Sequence, residues 1–272
     1  VDIRTSTAHG SINSSLFGFG LVREPEPVRL GGSYRHMFIG SDPFGDGSFD
    51  HFPMQLDVYG AATASWFVAG GSLGVARGIE GSAHVRGAQL NRELGTGWIL
   101  LSRTHFVGAY LDRRTLLRAG RLNVPFGIRM PEHVAWVREA TRTDRESDQQ
   151  HGVAVAYNRE RWRGEAMLIV GNYQIYPDRY RERGYSLSVE YLATEKVAVG
   201  LSSLVTFANE DRFTLERRAV RHAHGLSGRV AFSDRWALLG ELDALKQGER
   251  SLGYVGWVQA DYEPWRGLHA LV

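Results

Sequence analysis

Alternation with a period of two, kept up through segment after segment, is what most narrows the folds open to this 272-residue chain. Successive side chains of a strand point to opposite faces, so a run that alternates apolar with polar residues has two unlike surfaces. From Tyr185 to Tyr191, one face reads Tyr185, Leu187, Val189, Tyr191 and the other Ser186, Ser188, Glu190. Val197, Val199, Leu201, Val205 and Phe207 are set against Ala198, Gly200, Ser202 and Thr206, with Ser203 and Leu204 out of step. Leu226, Gly228, Val230 and Phe232 oppose Ser227, Arg229 and Ala231. Trp236, Leu238, Gly240 and Leu242 oppose Glu241 and Asp243, and Tyr254, Val258, Ala260 and Tyr262 oppose Gln259 and Asp261. Carried along the chain, the pattern predicts strands at 28–39, 54–63, 66–77, 98–111, 114–124, 152–158, 161–170, 185–193, 196–207, 223–232, 236–245, 252–262 and 266–272.

The connections fall into two interleaved sets. Short ones contain Ala64-Ser65, Asp112-Arg113, Asn158-Arg159-Glu160, Thr194-Glu195, Ser233-Asp234-Arg235 and Glu263-Pro264; longer ones run roughly 40–53, 78–97, 125–151, 171–184, 208–222 and 246–251. An up-and-down meander puts all members of one set at one end, as in transmembrane barrels with short periplasmic turns and long extracellular loops. The predicted fold is therefore all-β, a transmembrane antiparallel up-and-down β-barrel of about 13 visible strands, 14 or more in a complete barrel, because bacterial single-chain barrels have even strand numbers. The last segment reads as an interrupted strand, and Val272 is not the aromatic that commonly ends such chains. The chain is thus divided into an irregular lead-in, 1–27, on the periplasmic side, and a C-terminally incomplete barrel domain, 28–272.

Trp66, Trp162, Trp236 and Trp265 each follow a short turn. At the point where a strand enters a bilayer, an indole buries its ring while its N–H reaches water and headgroups, which makes an aromatic girdle. The plainer account is four strand-start core aromatics.

Composition is compatible with a barrel and excludes several alternatives. The chain is 43% hydrophobic, yet no run is long enough for a transmembrane helix and mean hydropathy is −0.27; a barrel needs apolar residues only at alternate positions. The absence of cysteine removes disulfides, thiolate metal sites, thiol catalysis and covalent haem attachment through Cys-x-x-Cys-His. Val1-Asp2-Ile3-Arg4 does not open a signal sequence, so an exported protein would be seen here in its processed form. No catalytic, cofactor or metal residues are assigned, and the chain is expected not to be an enzyme. His222 with His224, and Asp42, Asp46 and Asp50, lack metal-ligand spacing. Gly18-Phe19-Gly20 lacks the third glycine of a dinucleotide loop.

Net charge is +2, and of 32 basic side chains only Lys196 and Lys246 are lysines. Coding bias accounts for the arginines; the functional account is a guanidinium-lined pore. Arg103, His105, Arg118, Glu190, Arg229, Glu241 and Asp261 occupy predicted inward positions and are the pore-lining candidates. Their mixed signs argue against strong anion selectivity, and dispersed arginines among nearly equal acids give no nucleic-acid footprint.

Arg118-Ala119-Gly120-Arg121-Leu122-Asn123-Val124-Pro125-Phe126-Gly127-Ile128-Arg129 resembles the Arg-x-Gly-x-x-x-x-Pro-Phe-Gly strand end of phosphate-selective O/P-type porins and related barrels. The resemblance implies a channel in a Gram-negative outer membrane; the lysine-rich phosphate features of that group have no counterpart. Pro125 lacks an N–H for the ladder and Gly127 permits a tight bend, so the chain leaves the wall there. The segment 125–151 that follows carries the constriction-loop candidates Glu132, His133, Arg138, Arg142, Asp144, Glu146 and Asp148, with a short helix at about 131–140. It either folds across the mouth or lies as a solvated loop.

Three functional classes remain open. One is a porin-like outer-membrane channel for small polar or charged solutes, in contact with the lipid bilayer. Another is a structural barrel that holds a partner, as the sheath of a porin–cytochrome electron conduit or the outer-membrane component of an envelope-spanning complex; an envelope protein or a second copy of the chain is the expected partner. The third is a barrel hydrolase or acyltransferase.

Overall fold

A computed structural model describes residues 27–41, 48–77, 98–128, 136–144, 148–173, 178, 180–212, 214–265 and 268–271. Apart from Pro27, the predicted lead-in lies outside the described residues. The element order is β1 (Val28–Ser41), β2 (Ser48–Ala64), β3 (Phe67–Arg77), β4 (Trp98–Leu101), β5 (His105–Tyr110), β6 (Thr115–Leu122), α1 (Trp136–Thr141), β7 (Gln150–Asn158), β8 (Trp162–Gly171), β9 (Arg183–Leu192), β10 (Val197–Glu210), β11 (Arg217–Ala231), β12 (Trp236–Gln247), β13 (Gly253–Trp265) and β14 (Leu268–Leu271). Each strand pairs antiparallel with its sequence neighbour along a path from β1 to β14, with β4 off the path against β3. The all-β, up-and-down architecture is the one the alternation predicts.

The register explains the two faces. One cross-strand row reads Val189, Leu201, Leu226, Leu242, Gly256. The adjacent row reads Arg163, Glu190, Gly200, Ser227, Glu241, Trp257. Exposure is inverted relative to a water-soluble sheet: Leu201, Leu242 and Val258 are 66%, 56% and 69% exposed, while Arg118 and Arg229 are 2% and 4% exposed. Large apolar side chains cover the outward face, while the inward face holds the ionic groups together with a buried apolar cluster that includes Phe106, Leu116, Met167 and Leu204.

Three boundaries differ from the sequence expectation. Strands β1 and β2 continue to a Ser41–Ser48 pair, and β10 and β11 to Glu210–Arg217, so the predicted connections 40–53 and 208–222 shrink to 42–47 and 211–216. The predicted strand 98–111 is broken at 102–104: β4 pairs with Gly74–Arg77, and β5 with Phe67–Gly71. The break is stitched by Ser72, whose Oγ accepts the N–H groups of Arg103 (3.1 Å) and Thr104 (3.0 Å), while its own N–H donates to the Thr104 carbonyl (2.8 Å). Such an interruption re-aims a side chain. Arg103 turns inward onto Asp57 at 2.6 Å.

Candidate functional site

The inner face is a set of ion pairs between arginines and carboxylates of neighbouring or next-neighbouring strands. Arg118 of β6 meets Glu165 of β8 at 2.6 Å, with both side chains essentially inaccessible. The Arg118 guanidinium also lies 5.6 Å from the centre of the Phe106 ring. Glu190 of β9 receives Arg229 of β11 and, at 3.8 Å, Arg163 of β8. Arg121 is fully buried and donates Nη1 to the carbonyls of Ser102 (2.5 Å) and Arg103 (2.9 Å), which the break in the wall leaves outside the ladder.

Into this interior runs the segment that follows β6. Gly127 has φ +59, a left-handed conformation that a glycine adopts without strain. The turn places Phe126, 1% exposed, among inner side chains of β5, β7, β10 and β11. Its backbone is then held by the far wall. The Ser186 hydroxyl of β9 donates to the Pro125 carbonyl (2.6 Å), the Gly127 N–H donates to Ser202 Oγ of β10 (2.8 Å), and the Ile128 N–H donates to Glu241 Oε2 of β12 (2.7 Å). Helix α1 adds Val137, fully buried and packed with Ile128, Val255, Leu239 and Trp257. Arg138 pairs with Glu241 and donates to the Phe126 carbonyl and the Thr143 hydroxyl, both at 3.1 Å. Val137 supplies apolar anchorage and Arg138 supplies polar anchorage.

Toward the long-connection end, the same segment joins two others. Arg142 donates to Asp211 (2.5 Å) and Gln247 (3.1 Å). Arg212 pairs with Asp148. Arg221 bridges the Thr141 carbonyl and Glu182, each at 2.7 Å, and Thr206 and Gln150 also donate to Glu182. Burial alone would raise the pKa of Glu182, but Arg221 and the Thr206 hydroxyl outweigh it and hold the carboxyl below its ordinary 4.5. A carboxylate with a depressed folded pKa stabilises fully above its unfolded value and loses that contribution as pH falls through the folded one. Amide hydrogen exchange at Thr141–Thr143 should therefore stay slow from pH 7 to about 4.5 and accelerate only on further acidification. In Glu182→Gln the acid-induced step should disappear.

Of the predicted lining residues, Arg103, Arg118, Arg229 and Glu241 are buried on the inner face; Glu190 and Asp261 share that face at partial exposure. His105 is a correction. The break at 102–104 takes up an extra residue, so His105 leaves the face of Arg103 and lies outward beside Val107, its ring 5.3 Å from that of His151. Arg138, Arg142, Asp144 and Asp148 lie in the infolded segment, whereas Glu132, His133 and Glu146 lie outside the described residues. The helix begins at Trp136 rather than near 131. Trp66, Trp162, Trp236 and Trp265 are all exposed; Trp162 packs on Tyr191 at 4.6 Å and Trp236 on Tyr262 at 4.4 Å between ring centres. Sequence reasoning overlooked the carboxylate partners Asp57, Glu165 and Glu182. Arg163 and Glu165 alternate with Trp162, Gly164 and Ala166, which is the signal that marks them as inward.

No family model matches the chain, and no curated protein matches it. Among solved structures, the outer membrane channel DcaP of Acinetobacter baumannii is similar over 90% of this chain and 76% of its own, at 11% identity and a TM-score of 0.53. The anion-selective porin from Comamonas acidovorans covers 88% and 85% at 13% identity and a TM-score of 0.44. A loop-deletion mutant of OmpT, an outer membrane protein of Vibrio cholerae, covers 89% and 90% at 10% identity and a TM-score of 0.45. The likeness to DcaP is one of fold: an outer-membrane type of β-barrel. The expectation that the chain is not an enzyme is withdrawn, because a likeness of fold excludes no activity.

Proposed function

We propose that the chain is a porin-like channel of a Gram-negative outer membrane, through which small polar or charged solutes diffuse past a constriction to which residues 123–128 and 136–144 contribute. The observation that carries this reading is the infolding of that segment, tied by Ser186, Ser202 and Glu241 to strands far from its origin. That segment narrows the interior, seating Phe126 and Val137 in apolar clusters and Arg138 on Glu241. Elsewhere on the inner face ion pairs stay partly accessible, as between Arg163 and Glu190 with side chains 10% and 22% exposed, which suits an interior that water reaches.

The outward face supports membrane embedding. From Trp236 to Ala244, the partner of Tyr254, eight strand steps of about 3.4 Å at a tilt of about 40° span about 20 Å, close to the apolar band of outer-membrane barrels. Trp162, Tyr191, Trp236 and Tyr262 mark its short-turn edge as a girdle, with Trp66 and Trp265 alongside. The strand end at 118–129 resembles that of O/P-type porins, which agrees with a channel; the interior offers compensated charge rather than a lysine cluster for phosphate.

Planar-bilayer recording tests the reading. The purified chain should give discrete single-channel steps, and removal of 132–148 should enlarge them. Unchanged conductance after the deletion would sink the constriction, and absence of steps from a chain that has inserted would sink the channel.

A further inference from the structure

The outward positions of the described strands carry no aspartate or glutamate, although the inner face holds many. They do carry six of the ten histidines, all near the long-connection ends of their strands. His36 and His51 stack beside Phe38, with Nε2 of the first 3.3 Å from Nδ1 of the second. His105 and His151 meet edge-on, and Tyr173 packs on His151 at 5.3 Å. His222 and His224 lie 6.2 Å apart; Ser203 Oγ, within 3.3 Å of Tyr185 Oη, is 3.1 Å from His224 Nδ1. His222 is the cross-strand partner of Lys246, and Arg250 follows in the next turn; both cations are exposed. Glu249 is the exposed acid of that turn, and it lies beyond the strand face.

Directly below these groups the outward face turns apolar at Leu226, Leu242 and Val258. Strand side chains therefore meet lipid tails at one level and, at the next, offer imidazole and phenol donors with an ammonium and a guanidinium. An imidazole keeps one N–H donor even when neutral, and hydrogen bonds from cations to phosphate are among the strong ones. Anionic groups anchored at the depth where acyl chains end fit this belt. The outward strand positions carry no carboxylate to repel them; the acids nearest the belt are Glu249 and Glu216, at the turn that holds Arg250.

We propose that this belt docks the phosphate groups of an anionic glycolipid in the leaflet facing the long connections, with His222, Lys246 and Arg250 as its most strongly basic sector. The inference rests on the membrane-embedded reading above and goes beyond it by naming a lipid ligand and its chemistry.

The full chain would be folded in detergent and titrated with a bisphosphorylated lipid A glycolipid, with the same glycolipid after phosphatase treatment, and with inorganic phosphate. Stabilisation against thermal unfolding would be read for the native chain, for His222→Gln/Lys246→Gln/Arg250→Gln, and for Lys196→Gln at the opposite end. The expected result is stabilisation by the phosphorylated lipid alone, with half-saturation about tenfold weaker in the triple variant and unchanged in Lys196→Gln. Equal stabilisation by the dephosphorylated lipid, an undiminished response in the triple variant, or reproduction of the effect by inorganic phosphate would overturn the proposal. A variant that loses heat-modifiable gel migration has not folded, and Lys246→Gln alone then takes its place. If the native chain is monodisperse without detergent, the membrane reading falls as well; channel steps without lipid discrimination overturn the lipid belt only.

Discussion

Arg118→Ala is expected to destabilise the barrel by about 3–5 kcal/mol, the usual cost of breaking a buried ion pair by removing one partner. The guanidinium sits between Glu165 at 2.6 Å and the Phe106 ring, and the two charged side chains are 2% and 0% exposed. Truncation leaves the Glu165 carboxylate without its cation and opens a void beneath Phe106. Water admitted to the void would soften the loss, which sets the lower end of the range. The pair itself is not expected to beat apolar packing, so Arg118→Met combined with Glu165→Leu should recover most of the loss. Urea unfolding of the chain in detergent, followed by tryptophan fluorescence, measures both. A single variant less than about 1 kcal/mol below the native chain would show that the pair is effectively solvated.

Arg138→Ala is expected to act on conductance more than on the wall. Arg138 holds Glu241, the Phe126 carbonyl and Thr143 at once, so its loss detaches α1 from β12 while the strand ladder stays intact. Single-channel conductance should rise on the order of twofold, with increased open-channel noise as the segment fluctuates. Arg138→Lys should rescue little, because one ammonium cannot reproduce the planar fork that serves three acceptors. Quiet channels of native conductance from Arg138→Ala would mean that Val137 and the backbone bonds to Ser202 and Glu241 suffice.

Strand positions and the sense of their faces were legible because both follow from local alternation. Arg118, Arg229 and Glu241 could be turned inward from their immediate neighbours alone. What the alternation could not carry was anything decided by a distant partner. The break at 102–104 depends on Ser72, some thirty residues earlier, and it is this break that reverses His105. Pro125 and Gly127 announce that the chain leaves the wall, but where it goes is decided by Ser186, Ser202 and Glu241, each unremarkable in its own strand. Glu165 and Glu182 acquire meaning only through Arg118 and Arg221. The run 217–222 reads as loop although β11 includes it, because Arg217, Arg218, Arg221 and His222 hide the apolar alternation that marks the other strands.

The bond from the Ile128 N–H to Glu241 spans 113 residues of sequence. Strand neighbours can zip up pair by pair, but this contact has to wait until β12 is in place. Assembly therefore passes through a stage in which most of the wall exists and its crossbrace hangs free, with Val137 and Phe126 still uncovered. The brace closes late and joins early strands to late ones. One hydrogen bond from a backbone N–H to a side-chain carboxylate thus ties the start of the infolded segment to a strand formed more than a hundred residues later, a contact of high loop-closure cost.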